Sequence, residues 1–141
     1  EEINFFKNLN LQCKHKYIFP IGSQGSYNNL ISSNSKLIVT VDSNLGYEML
    51  ARGKKTVFFS LRDWDPNEKS CSFGWPHKYP KIGFFWANRF FSEKEYEKIL
   101  NRVMKISNSA WEKKIKRYVE PLIVFDRGNK IFKKKLKEII R

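Results

Sequence analysis

Between a run of β-branched residues and a short helix-like run, the sequence places Ser43, Asn44, Leu45 and Gly46, with Glu48 two residues further on. That order of residue types suits anion binding. The first turn of a helix offers backbone N–H groups and about half a positive charge. Directly after a parallel strand, those groups stand at the carboxyl edge of a sheet, where phosphates are commonly held. Ser43 and Gly46 are small enough to let a phosphate approach the backbone. A carboxylate at Glu48 suits the two hydroxyls of a ribose. The same residues also have a plainer reading. Ser43 is a good N-cap, Gly46 permits close helix–strand packing, and Glu48 can pair with Arg52 at i+4. The local sequence leaves both readings open.

A second group is aromatic. Trp64, Phe73, Trp75, Tyr79, Phe84, Phe85 and Trp86 crowd the segment 61–91. Ring faces stack on sugars and bases, and they also cover sheet edges. Phe84 and Phe85 read as packing residues. Trp75 and Trp86 are candidate loop contacts, together with His77 and Asn88. A loop histidine can act as a base or touch a phosphate, although a lone exposed histidine is the commoner case. Metal binding has no support. Cys13 and Cys71 form no CxxC and no Cys/His cluster, whereas zinc needs four ligands at short paired spacings. Two separate thiols fit reduced cysteines in a cytosolic protein. Nothing calls for a cofactor, and no residue identifies itself as catalytic.

The elements that would position these residues are legible. Residues 17–19 read as a short buried strand stopped by Pro20. Ser26 can cap a short helix. Residues 37–41 form the clearest strand, nearly continuous in apolar and β-branched residues, as in a parallel strand covered on both faces. Residues 45–52 read as helix, with Leu45, Met49 and Leu50 on one face and Gly53 as its stop. Residues 56–60 give a second buried strand, so 37–60 is a βαβ crossover within a core region 17–60. The segment 61–91 is a long aromatic loop, and a connection of that length is usually functional. Ser92 and Glu95 form a capping box before Tyr96, Ile99, Leu100 and Val103. A further helix carries Trp111, Ile115 and Tyr118. After a turn at 126–129, residues 130–141 form a basic amphipathic helix. The fold class is α/β, a parallel Rossmann-like sheet flanked by helices. Residues 1–141 make one domain, with residues 92–141 supplying C-terminal helices.

The run Ser43-Asn44-Leu45-Gly46-Tyr47-Glu48-Met49-Leu50-Ala51-Arg52-Gly53-Lys54 resembles the S-x-L-G-[YF]-E-A-L-x-x-G-K segment of bacterial capsule and surface-carbohydrate biosynthesis proteins. These in turn resemble GT-B glycosyltransferases, including those that add Kdo sugars. The likeness extends through Phe73-Gly74-Trp75-Pro76, Phe85-Trp86-Ala87-Asn88 and Asp126-Arg127-Gly128-Asn129, and so covers most of residues 17–132. Asn44 departs from the pattern, where Ser or Thr is expected. The resemblance implies the donor-binding C-terminal half of a GT-B enzyme, with Ser43, Asn44, Leu45, Gly46 and Glu48 around a nucleotide-sugar. It implies an N-terminal Rossmann-like half and a glycan or lipid-linked acceptor as partners. A cleft built between two halves would leave this piece inactive alone. The chain opens on Glu1-Glu2 without Met, which fits a piece of a longer protein.

Charge bears on the partners. Lys and Arg number 27 against 14 Asp and Glu, a net +13. Such a balance attracts nucleic acid, anionic lipid or phosphorylated small molecules. The alternative to a glycosyltransferase is therefore a basic binding module for nucleic acid or an anionic membrane surface. No nucleic-acid-binding signature is present, and the basic residues gather on the terminal helices rather than among the aromatics. Nucleic acid is the less favoured partner. A peripheral contact with an anionic membrane is compatible with the first reading. No apolar run reaches the ~18 residues of a spanning helix, and the acidic start does not resemble a signal peptide. The expected location is cytoplasmic, with a peripheral association at the inner membrane.

Overall fold

Of the runs read as strands, 37–41 and 56–60 pair in parallel, but only the second is buried throughout, and Val39 on the first is half exposed rather than covered on both faces. The computed structural model describes residues 25–41, 43–60, 72–75, 77–89 and 91–140, together with the isolated positions Asn4 and Asn8. Along the chain come α1 (Gly25–Asn34), β1 (Ile38–Thr40), α2 (Asn44–Ala51), β2 (Thr56–Phe59), β3 (Trp86–Ala87), α3 (Glu93–Lys105), α4 (Asn108–Tyr118) and α5 (Lys130–Ile140). The chain divides into two units, residues 1–30 and 31–141. The sheet and α2 to α5 belong to the second. The expected strand at 17–19 and residues 61–71 lie outside the described residues.

The sheet order is β1-β2-β3. β1 and β2 pair in parallel, with Ile38 opposite Thr56 and Thr40 opposite Phe58. β3 pairs in parallel on the other edge of β2, with Phe58 opposite Trp86. The segment 61–91, expected as one long loop, thus contributes a strand. Two residues are too few to show any periodicity in sequence. Around β3 the chain folds back on itself. Gly83 N–H donates to the Trp86 carbonyl at 2.9 Å, and Ile82 bridges antiparallel to Ala87.

Every residue of β2 is buried, which explains the apolar run Val57-Phe58-Phe59 after Thr56. Successive side chains point to opposite faces. Phe58 lies against Tyr47 and Phe73, with ring centroids 4.7 and 4.8 Å away. Phe59 lies against Phe91 and Tyr96, at 4.9 and 4.7 Å. α2 crosses close to the sheet at Gly46. A Cβ there would stand 2.6 Å from Thr40 Cγ2 and 3.3 Å from Phe58 Cζ. α3 begins at Ser92, whose capping box with Glu95 is fully formed, and it buries Ile99 and Val103. α4 buries Trp111 and Ile115. Trp111 Nε1 donates to the Gly53 carbonyl at 3.0 Å, fixing α4 to the turn after α2. Lys55 Nζ reaches the Met104 and Ile106 carbonyls and so satisfies the end of α3.

Asn88 holds the far side of the core. Its side chain accepts from Phe73 N–H and donates to the Phe73 carbonyl, both at 2.9 Å. The ring of Phe73 sits 5.0 Å from Phe85 and 5.0 Å from Trp86. Trp86 Nε1 donates to the Pro80 carbonyl at 2.9 Å.

Two substitutions test this packing. Gly46→Val forces branched carbons into the Thr40 methyl group and is expected to cost about 1–3 kcal/mol by overpacking. Urea denaturation should show a lower midpoint, and an unchanged midpoint would contradict the close approach. Asn88→Ala strips both partners from the Phe73 peptide groups, at about 1–3 kcal/mol for each group left unsatisfied. The same measurement should show a loss at least as large as that of Gly46→Val.

Candidate functional site

At the carboxyl ends of the strands lies an open cleft of about 520 Å³, lined by Val39, Thr40, Val41, Ser43, Phe59, Phe91 and Tyr96. Thr40 closes β1 and Val41 follows it, Phe59 closes β2, and Phe91 and Tyr96 follow β3 at the start of α3. The cleft therefore occupies the position where parallel α/β sheets bind ligands.

One wall is the entry to α2. Ser43 has extended backbone angles and its hydroxyl accepts from Leu45 N–H, so it is the N-cap. The Ser43 N–H donates to Thr40 Oγ1 at 3.3 Å, which ties the cap to the end of β1. The positive end of the α2 dipole is aimed at this edge. The other wall is aromatic. Phe91 and Tyr96 stack with centroids 6.2 Å apart and planes 4° from parallel, and both touch Phe59. Glu95 fixes this wall. Its carboxylate accepts from Ser92 N–H in the capping box and from Arg89 at 2.9 Å.

The residues singled out by sequence are distributed unevenly around this cleft. Ser43 lines it. Asn44 is exposed on the first turn of α2, Leu45 is half-buried, and Gly46 is buried against Thr40. Glu48 lies 4.0 Å from Arg52 with half of its side chain exposed, outside the cleft's lining. Arg52 in turn sits over the Phe125 ring at 4.9 Å. Trp75 is exposed. His77 is exposed too, stacked on Tyr79 at 5.9 Å with Nε2 3.3 Å from the Pro121 carbonyl oxygen. Trp86 and Asn88, expected as loop contacts, are buried instead, and their polar atoms are occupied by Pro80 and Phe73. Phe84 and Phe85 pack on the core as expected.

Val39, Thr40, Val41, Phe59, Phe91 and Tyr96 line the cleft without having been singled out as site residues by sequence. Phe59 read only as a strand residue and Tyr96 only as a helix-face apolar residue. The available signal was position, because the last residue of each parallel strand borders the carboxyl edge. Perturbed titration occurs away from the cleft. Burial, with Tyr118 adding to it, pushes the Tyr79 phenol up, and its hydroxyl donates to the Tyr118 carbonyl. Burial lowers Arg102, which donates to the Gly83 carbonyl and lies over the Phe84 ring. Both groups serve packing. Among the described residues no group of acidic, cysteine and histidine side chains could hold a metal ion, and no helix is long and apolar enough to cross a membrane.

No curated protein and no solved structure matches the chain significantly. One family profile does match, Lept_O_ant_chp1, and it covers residues 1–140. A parallel α/β sheet with an open carboxyl-edge cleft thus belongs to a chain of the Lept_O_ant_chp1 family, described as a putative O-antigen biosynthesis protein.

Proposed function

We propose that this chain is the donor-binding part of a glycosyltransferase of surface-polysaccharide synthesis, and that the cleft takes a nucleotide-sugar. The observation that carries the reading is the composition of the two walls. A capped helix N-terminus at Ser43 faces the same cavity as the stacked rings of Phe91 and Tyr96. A nucleotide-sugar pairs an anionic diphosphate with a flat base. The helix end suits the first and the rings suit the second. The cavity is also within the volume range of small-molecule sites. In this reading Asn44 and Gly46 help present the first turn of α2 to the phosphates. Glu48 would have to leave Arg52 to reach a ribose. The resemblance around residues 43–54 supports a GT-B enzyme, with the acceptor, a glycan or lipid-linked glycan, on a second Rossmann-like half.

Calorimetry of CMP, UDP, GDP and their sugars with the intact protein tests the proposal. One nucleotide should bind. Tyr96→Leu keeps an apolar contact for Phe59 and removes the stacking face, so it should weaken binding by about tenfold. Ser43→Ala should weaken it by a similar factor, at about 1 kcal/mol in helix stability. Thermal unfolding of the free proteins separates the two effects. Glu48→Gln reports on the ribose contact alone: tenfold weaker binding assigns it, and equal affinity leaves Glu48 to Arg52. If no nucleotide binds, or Tyr96→Leu binds as the parent does, the cleft is not a donor site.

A further inference from the structure

The last helix is a surface element, and among the described residues none covers its apolar face. α5 has no buried residue. Ile139 and Ile140 are 79% and 75% exposed and Phe132 is 64% exposed, values unusual for side chains of this type unless something else covers them. At 3.6 residues per turn, Phe132, Leu136, Ile139 and Ile140 fall on one stripe about 100° wide. Lys133, Lys137, Lys130 and Lys134 run from the Ile140 edge of the stripe round to the far side, where Ile131 and Glu138 also lie. The helix is nonetheless firmly started. The Asp126 carboxylate accepts from the N–H groups of Lys130, Ile131 and Phe132 at 2.9, 2.8 and 3.2 Å. Gly128 and Asn129 turn the chain into it with positive φ.

We infer that α5 is an interfacial helix that lays its apolar stripe into an anionic lipid surface. The inference is independent of the proposed donor cleft. Charge selects the occupant. α5 carries five lysines and one glutamate, and that glutamate, Glu138, is already paired with Lys135 at 3.1 Å. A second copy of the helix would bring like charges together around the seam, which is unfavourable. An anionic headgroup layer meets the lysines with opposite charge. Long lysine stems can lie along the edge of the stripe and keep their ammonium groups among the headgroups. The chain's excess of 27 basic over 14 acidic residues acts in the same direction.

Sedimentation of the full chain with vesicles tests this. It should pellet with phosphatidylcholine vesicles containing one-third phosphatidylglycerol and stay in solution with phosphatidylcholine alone. Leu136→Glu combined with Ile139→Glu should abolish pelleting. Lys133→Gln, Lys134→Gln and Lys137→Gln together should weaken it at least tenfold, since each lysine near such a surface contributes about fivefold. Thermal unfolding of both variants should match the parent, because α5 buries nothing in the fold. Three results would overturn the inference. The chain could ignore anionic vesicles, or the variants could pellet as the parent does. Lastly, Ile139→Glu could lower the unfolding temperature or dissociate a dimer seen by sedimentation velocity, which would assign the stripe to protein packing.

Discussion

A strand buried on both faces needs backbone partners on both edges and side-chain cover above and below. β2 is such a strand, with Thr56, Val57, Phe58 and Phe59 all buried. An unpaired peptide group at that depth is costly. β1 satisfies one edge, and β3 the other, with Phe58 N–H donating to the Phe85 carbonyl and Ser60 N–H to the Ala87 carbonyl. Cover on the Phe58 side comes from α2, drawn close by the absence of a Cβ at Gly46. Cover at Phe59 comes from Phe91 and Tyr96. The cleft is a consequence of this arrangement. α2 leaves the end of β1 and α3 follows β3, and the space between their first turns, beside the end of β2, stays open.

Strand β1, helix α2 and strand β2 were legible because each carries a strong local signal. Residues 37–41 and 56–59 are continuous apolar and β-branched runs, and Ser43 and Gly53 mark the ends of the helix between them. Both marks hold in the structure, Gly53 with φ +82°. The Ser92–Glu95 capping box was likewise readable from two residue types at a fixed spacing. β3 was not legible. It gains its strand character from pairing with Phe58 and Phe59, which are distant in sequence, and Trp86 looks no different from the other aromatics around it.

The candidate site divides along the same line. Ser43 was legible as an N-cap because a cap is a local feature. The aromatic wall was missed because Phe59 and Tyr96 meet only when β2 and α3 pack. Trp86 and Asn88 point the other way. As residue types they suit ligand contact, yet their hydrogen-bonding atoms are used up inside the fold. An aromatic residue or an amide in a loop-like stretch is evidence of a site only once its partners are known.

Gly46 couples the packing of α2 to the position of its N-cap. Its contact with Thr40 is structural. Thr40, however, also accepts the Ser43 N–H and lines the cleft. A side chain at position 46 would push on the residue that holds the helix cap in place. The close packing of α2 on β1 and the presentation of its N-terminus to the cleft are therefore one geometric condition. That packing holds the backbone N–H groups at the start of α2 in one fixed direction toward the cleft.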